Sequence, residues 1–413
     1  MAGKRENLIR LGEFILSEKT RIRLFFLASI LFCLGANFAH PITPTVIQNL
    51  GLHDYMFGVA YAGMASTNFL FSPFWGKINV YLSSRKTMLI GGVGYAVGQI
   101  CFGLAQTELQ IVPARMISGA FASAVFVSML TYIVNTSDEE KRGVYLITSA
   151  TIQSVFSAFG YLIGGLLGEI SIGLTFGIQA ATLAGSGLMF YLVCKDDTLK
   201  SMRETTPGKL MKEANPFSVF FASREFMTVL LATMFIVNAL ANIGFTAYEQ
   251  CFNYYIKDQF GLTSAYNGAI KAAVGFITLA ANGTICVWIV KKTDSKKSLI
   301  LVLAAAAAAI FSVIMAPDVA LFMVLNLVFY AFNAISVPVI QNLIAQDAEG
   351  EKSNVVMGFC NATKHLGGII GALTAGFVYG LGPKVSFVFA GISFAAAAAG
   401  VIYYNMRYRK ERG

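Results

Sequence analysis

Charge is what this chain has least of. Charged residues make up 13% of its 413 positions, about half the share usual in a soluble domain, and 56% of the residues are hydrophobic. That balance excludes a water-soluble globule. Cysteine is equally sparse: Cys33, Cys101, Cys194, Cys251, Cys286 and Cys360 fall singly within or at the ends of apolar runs. Their spacing excludes a zinc ribbon and a disulfide framework, so they read as apolar filler. Three histidines form no helical metal pair. No Gly-Lys-Ser phosphate loop is present, which excludes ATP hydrolysis as a driver, and no Gly-x-Ser-x-Gly turn presents a nucleophile. No cofactor and no enzymatic activity are expected.

What is present is long apolar runs, with a mean hydropathy of +0.64. Lipid offers no partner for an open backbone group, so a spanning segment must be a helix of about 20 mostly apolar residues. Twelve such runs occur, at about 22–48, 55–76, 87–107, 109–134, 143–168, 172–194, 226–254, 264–290, 298–316, 319–345, 354–380 and 385–406. The cations are distributed one-sidedly between them. The leading segment, the even-numbered connections and the tail hold 26 of the 31 Lys and Arg residues, and the odd-numbered connections hold only Lys257 and Lys384. Under the positive-inside rule both termini face the cytoplasm. The net charge of +9 is this same bias and not a nucleic-acid footprint. The first run is too long for a cleavable signal, and residues 4–18 are compatible with a short surface helix. The expectation is an all-α, multi-pass protein of a cell membrane, bacterial and monomeric, in contact with membrane lipid.

The longest charged connection, 195–225, carries Pro207, Gly208 and Pro216 and separates six runs from six. This divides the chain into a leading segment 1–21, a bundle 22–194, the linker 195–225, a bundle 226–406 and a tail 407–413. The halves echo each other at an offset of 211 residues. Arg85-Lys86 matches Lys296-Lys297, Glu140-Lys141 matches Glu351-Lys352, and Gly160 and Gly165 match Gly371 and Gly376. Two six-helix repeats point to a secondary transporter with its site near the midplane, between halves that rock about it.

Several local motifs carry a family resemblance. Pro41 and Pro44 precede Leu50-Gly51-Leu52, and Arg115-Met-Ile-Ser-Gly119 forms an Arg-x-x-x-Gly motif on span 4. Asp138-Glu-Glu-Lys-Arg-Gly143 forms the 4–5 loop, and Gly160-Tyr161-Leu-Ile-Gly164-Gly165 stands where an antiporter motif has Gly-Pro-x-x-Gly-Gly. The chain resembles the major facilitator superfamily along essentially its whole length, nearest the twelve-span bacterial drug:proton antiporters. The resemblance implies alternating access, and a link to proton coupling for Arg115. It has departures. Tyr161 replaces the antiporter proline, and in the 2–3 loop Val80 and Ser83 replace the family's Asp and second Gly. The Asp that usually helps latch one state is missing there.

Inside the spans stand Arg115, Glu249, Lys271, Lys364, His365 and, in span 1, His40. A mid-helix charge costs about 2.5–3.5 kcal/mol even on the insertion scale, so each needs a partner or a task. Helical spacing places Asn238, Asn242, Glu249 and Asn253 on one face of span 7. It does the same for Asn267, Lys271, Gly275, Thr278 and Asn282 on span 8, and for Asn326, Tyr330, Asn333 and Gln341 on span 10. Such stripes are expected to face a water-filled cavity. Glu249 is the only carboxylate placed deep in a span. It either carries a coupling proton, with Arg115, or forms a static pair with Lys271.

Lys271 and Lys364 sit on spans 8 and 11, where anion carriers of the same superfamily place basic residues, so the resemblance also implies contact with a carboxylate or phosphate. Lys364 alternatively snorkels to a headgroup. The substrate set is then Lys271, Lys364, Asn242, Asn333, Tyr330, Asn37 and Asn361. Glu249 and Arg115 form the coupling set, and Gly160, Tyr161, Gly164 and Gly165 the moving helix interface. A small organic anion, moved by exchange or proton coupling, is the first substrate class. An amphipathic drug expelled against protons is the second, and a lipid flippase or a sensor on the same fold the third.

Overall fold

The computed structural model describes residues 17–347 and 353–412. The expected surface helix at 4–18 and the Glu351-Lys352 half of one repeat match lie almost wholly outside these. Among the described residues there are twelve helices of 18 residues or more: α1 (Glu18–Ala36), α2 (Met56–Ile78), α3 (Ser84–Leu104), α4 (Glu108–Thr136), α5 (Glu139–Ile170), α6 (Ile172–Val193), α7 (Val229–Asp258), α8 (Ser264–Ala281), α9 (Ser295–Ile314), α10 (Val319–Asp347), α11 (Ser353–Tyr379) and α12 (Val385–Arg412). Nine of the described helices meet the length and apolarity needed to cross a membrane. α8 continues through a π-helical segment, Asn282–Cys286, to Lys292.

The first run does not form one helix over 22–48. α1 stops at Ala36, and a short helix, Thr43–Asn49, follows. Pro41 and Pro44 explain the break, because each removes an amide donor and crowds the preceding turn. A broken helix in an apolar setting leaves carbonyls that need partners. The Gln179 amide donates to the Gly35 carbonyl at 2.8 Å, and the Tyr95 hydroxyl donates to that of Ala36 at 2.9 Å.

By contact the chain forms two units. The first comprises Met1–Thr43, Thr67–Pro216 and Ser264–Ala269, and the second Pro44–Ser66, Phe217–Thr263 and Ile270–Gly413. In the first unit, α1 and α5 approach to backbone contact. Cβ atoms at Gly160 and Gly164 would strike the carbonyls of Leu34 and Phe38. The second unit repeats the device: Gly367 and Gly371 of α11 face the carbonyls of Ala239 and Ile243 on α7. Gly160 and Gly371, which match at the 211-residue offset, thus both sit at such an approach, small residues letting apolar helices meet closely where no hydrophobic effect drives them together. The second unit also holds an aromatic core, in which Tyr248 lies 4.1 Å from Phe329 and 5.2 Å from Phe387 by ring centroid.

The connection after α6 folds back on the 2–3 loop. Asp197, 8% exposed, accepts from the Ser84 amide at 2.7 Å and hydroxyl at 2.6 Å, and from Asn135 at 3.2 Å. Asp196 pairs with Arg85 at 3.1 Å, and the amides of Leu199 and Lys200 both donate to the Val80 carbonyl. Farther on, Glu213 in the short helix Pro207–Glu213 pairs with Lys77 at 2.7 Å.

Candidate substrate and coupling site

In the second unit, Glu249 of α7, Lys271 of α8 and Tyr330 of α10 come together. The Lys271 ammonium donates to Glu249 Oε1 in an ion pair and to the Tyr330 hydroxyl at 2.8 Å. It also lies 4.7 Å from the centre of the Tyr330 ring. Side-chain exposure is 6% for Lys271 and 18% for Glu249. The lysine is thus enclosed by a carboxylate, a hydroxyl and a π face, and an ammonium needs such partners away from water. Phe245 sets its ring edge on Tyr330 at 6.2 Å, and Tyr248 does so at 6.0 Å, so the hydroxyl is held by aromatic packing. The charge pattern and the helical polar stripes pointed to Glu249 and Lys271 in the sequence, and the two are bonded partners here.

The asparagine stripes behave differently from a simple cavity lining. Asn238 donates to the Cys360 carbonyl at 2.9 Å and to Thr363 at 3.1 Å, which ties α7 to α11. Asn242 donates back to Asn238 at 2.8 Å, and Asn326 accepts from the Tyr248 hydroxyl at 2.9 Å. Asn238, Asn242, Asn253, Asn267, Asn326 and Asn333 are all buried. Much of each stripe therefore faces other helices: between apolar helices in lipid, an amide is a polar clamp as well as a possible ligand. Asn267 is the exception in one respect, since both ends of its buried amide lack a protein partner.

Lys364 on α11 is half-buried and makes no hydrogen bond or ion pair among the described residues. Its neighbours Asn361 and His365 are exposed. In the second unit, then, Lys271 has its charge matched and Lys364 does not.

The first unit holds the remaining residues. Arg115 is 1% exposed, and its guanidinium lies 5.1 Å from the Phe102 ring centre. Gln99 nearby in the same helix bundle is fully buried, with neither end of its amide bonded. Asn37 caps the end of α1 and donates to the Cys33 carbonyl at 2.8 Å. Tyr161 stacks on His40 at 5.4 Å and 13°, and the Gly165 Cα faces the Ser264 carbonyl. Arg115 and Glu249 thus belong to different units.

Sequence reasoning missed two features. One is the Tyr95 and Gln179 pair that closes α1. The other is a cluster in the second unit, where Tyr254 donates to Asp54 at 2.5 Å and Tyr379 to Asp258 at 2.7 Å, with Gln48 also on Asp258 at 3.3 Å. The second was hidden because α7 runs on to Asp258, past the apolar edge at 254. A stepwise polar spacing of Tyr254 and Asp258, four apart, was the available signal.

The comparisons with known proteins agree with this architecture. The family model for the Major Facilitator Superfamily matches residues 25–319 and 251–413. Multidrug resistance protein 1 of Bacillus subtilis is 24% identical over 392 residues, covering 92% of this chain and 96% of that protein. Tetracycline resistance protein, class B, of Escherichia coli is 22% identical over 370 residues, covering 88% and 89%. Among solved structures, the human organic anion transporter MFSD10 superposes with a TM-score of 0.64 at 15% identity, covering 94% of this chain and 99% of that one. At that identity the likeness speaks for the fold alone. A full-length family match, an all-helical bundle and a repeated packing device together decide the matter: the chain belongs to the Major Facilitator Superfamily, as a multi-pass inner-membrane transporter.

Proposed function

We propose that this transporter couples protons to the movement of a small organic molecule bearing an acidic group, with the Glu249–Lys271 pair as the coupling element. The observation that carries the reading is that pair, enclosed together with Tyr330. While Glu249 is ionised it occupies Lys271, so an anionic substrate meets a lysine already matched. Protonation of Glu249 removes the competing charge and leaves Lys271 on the Tyr330 hydroxyl and ring, able to take a carboxylate or phosphate. Proton and anion then bind together and not in competition. Lys364 supplies the second positive contact from α11, and Asn242 and Asn333 lie on helices of the same unit. Both termini face the cytoplasm in this reading, and the protein acts as a monomer.

A second reading is proton-driven efflux of amphipathic compounds. It is supported by the names of the relatives and by the matched charge on Lys271, which leaves the second unit less positive than a count of lysines suggests. There a cationic compound would compete with Lys271 and protons for Glu249.

Uptake and counterflow in proteoliposomes separate the two. Under the first reading Lys271→Gln abolishes binding of carboxylate and organophosphate probes, and Glu249→Gln retains exchange but loses its dependence on pH. Affinity for such probes retained in Lys271→Gln would sink the anion assignment. Lipophilic cations that bind to Lys271→Gln as well as to the native protein, and no longer bind to Glu249→Gln, would establish the second reading in its place.

A further inference from the structure

A cavity of about 350 Å³ lies in the first unit, whereas Glu249 and Lys271 belong to the second. It is bounded by the first turns of α1, the C-terminal end of α4, the start of α5 and Lys195 in the connection after α6. Four cations line it, Lys19, Arg21, Lys141 and Lys195, against two carboxylates, Glu18 and Asp138. The lining therefore has a net charge of +2 whatever the pairing within it.

Its walls are ordered by packing. Tyr132 packs at a tilt against Phe25 of α1 at 5.0 Å, and Tyr145 of α5 sets its edge on Phe26 at 5.8 Å. Arg21 is 4% exposed and donates to the Val193 carbonyl at 3.4 Å, which fixes a guanidinium at the end of α6. The Lys195 amide donates to the Tyr132 hydroxyl at 3.2 Å. The two acids hold flexible partners at the rim: Glu18 pairs with Lys195 at 2.8 Å and Asp138 with Lys141 at 3.1 Å. The hydrogen bond from Lys195 holds the Glu18 carboxyl below its usual range. These rim groups are exposed, so an anion arriving from water or from the membrane surface can displace the carboxylates.

We propose that this basin is a binding site for a phosphate-type anion. A net charge of +2 matches a doubly charged phosphate, and repels cations. Guanidinium and ammonium donors converging from α1, α5 and the connection after α6 suit its tetrahedral array of oxygens. The volume lies at the small end of ligand pockets, which fits a headgroup or a free phosphate better than a bulky drug. The cation asymmetry of the sequence places this end at the cytoplasmic surface, where anionic phospholipid is also present. An occupant would bridge α1, α5 and the end of α6. The site is independent of the coupling pair, and its test reads no transport.

The test uses the full-length protein, the double variant Lys19→Gln/Lys141→Gln, and Glu18→Gln, all at rim positions, with thermal unfolding as the check that each is folded. Arg21 is left intact because it also holds α6. Binding of inorganic phosphate is titrated in detergent by calorimetry. Retention of phosphatidylglycerol is counted by native mass spectrometry after passage through nanodiscs of phosphatidylcholine with and without it. At about 1 kcal/mol per surface charge, the double variant should bind about thirtyfold more weakly and Glu18→Gln about fivefold more tightly. Raising the salt to 1 M should weaken both probes. Charge-dependent binding of phosphatidylglycerol but not phosphate identifies a lipid headgroup site, and binding of phosphate in detergent identifies a dissolved anion. Failure of both probes to bind, or binding equal in all three proteins, overturns the proposal.

Discussion

Removing one member of the Glu249–Lys271 pair should harm the fold more than removing both. In Lys271→Gln, a carboxylate whose side chain is only 18% exposed loses its one ion-pair partner among the described residues. Breaking a buried pair costs about 3–5 kcal/mol, and the partial exposure of Glu249 argues for the lower end, about 3 kcal/mol. In Glu249→Gln the ammonium keeps the Tyr330 hydroxyl and ring, so the loss should be smaller, about 2 kcal/mol. The double variant Glu249→Gln/Lys271→Gln holds two neutral amides and no stranded charge. It should lose about 2 kcal/mol or less, where additivity would give about 5. With an unfolding entropy of about 2.1 cal/mol/K per residue, 413 residues give about 1 °C of Tm per kcal/mol. The expected falls are then about 3 °C, about 2 °C and no more than about 2 °C. Thermal unfolding of the purified proteins, followed by intrinsic fluorescence, resolves the difference between about 2 °C and about 5 °C for the double variant. Additive falls, or no fall in either single variant, would refute the claim that the two groups stabilise one another.

Three further outcomes follow from the packing. Asp197→Ala removes the acceptor that closes the start of α3, with two bonds from Ser84 and one from Asn135. It should lower stability by about 2–3 kcal/mol, while Asp196→Ala, whose side chain is 37% exposed, should cost less than 1 kcal/mol; their Tm values decide. Gly164→Ala pushes a methyl group into the Phe38 carbonyl and should cost about 1–3 kcal/mol, whereas Gly143→Ala, with open space around it, should stabilise α5 by up to about 1 kcal/mol. Finally, the hydrogen bond from Lys77 holds the Glu213 carboxyl below its usual range. A depressed carboxylate contributes stability above its unfolded pKa and loses it as the pH falls through the folded value. Limited proteolysis of the linker should therefore accelerate below about pH 4.3, and Lys77→Gln should show the faster cleavage already at neutral pH.

The spans were legible because lipid leaves the backbone one solution, and a run of about 20 apolar residues announces it. The charges of the Glu249–Lys271 ion pair were legible for the same reason: a charge inside such a run is costly enough to be conspicuous. Its geometry was not, since spacing along α7 and α8 fixes a face of each helix but not which faces meet. The asparagine stripes show the limit most plainly. Periodicity put Asn238 and Asn326 on polar faces, yet those faces meet Cys360, Thr363 and Tyr248 of other helices. A polar face in a membrane helix has two destinations, water or another helix, and sequence alone does not choose between them. The break in α1 was signalled by Pro41 and Pro44, but the groups that satisfy its open carbonyls, Tyr95 and Gln179, lie 59 and 144 residues away along the chain.

The 2–3 loop brings these threads together. Its sequence has the uncharged Val80 where the family resemblance implies an aspartate. The structure places two other aspartates beside that loop, Asp196 and Asp197, both supplied by the connection after α6. They cap the start of α3 and pair with Arg85, while the Val80 carbonyl accepts from Leu199 and Lys200. Arg85 is thus paired although Val80 supplies no acid. Those two aspartates belong to the same unit and sit in the connection after α6. A loop anchored in this way ties the linker to the first bundle. It gives the acidic residues Asp196, Asp197 and Glu213 a structural task that a flexible tether would not have.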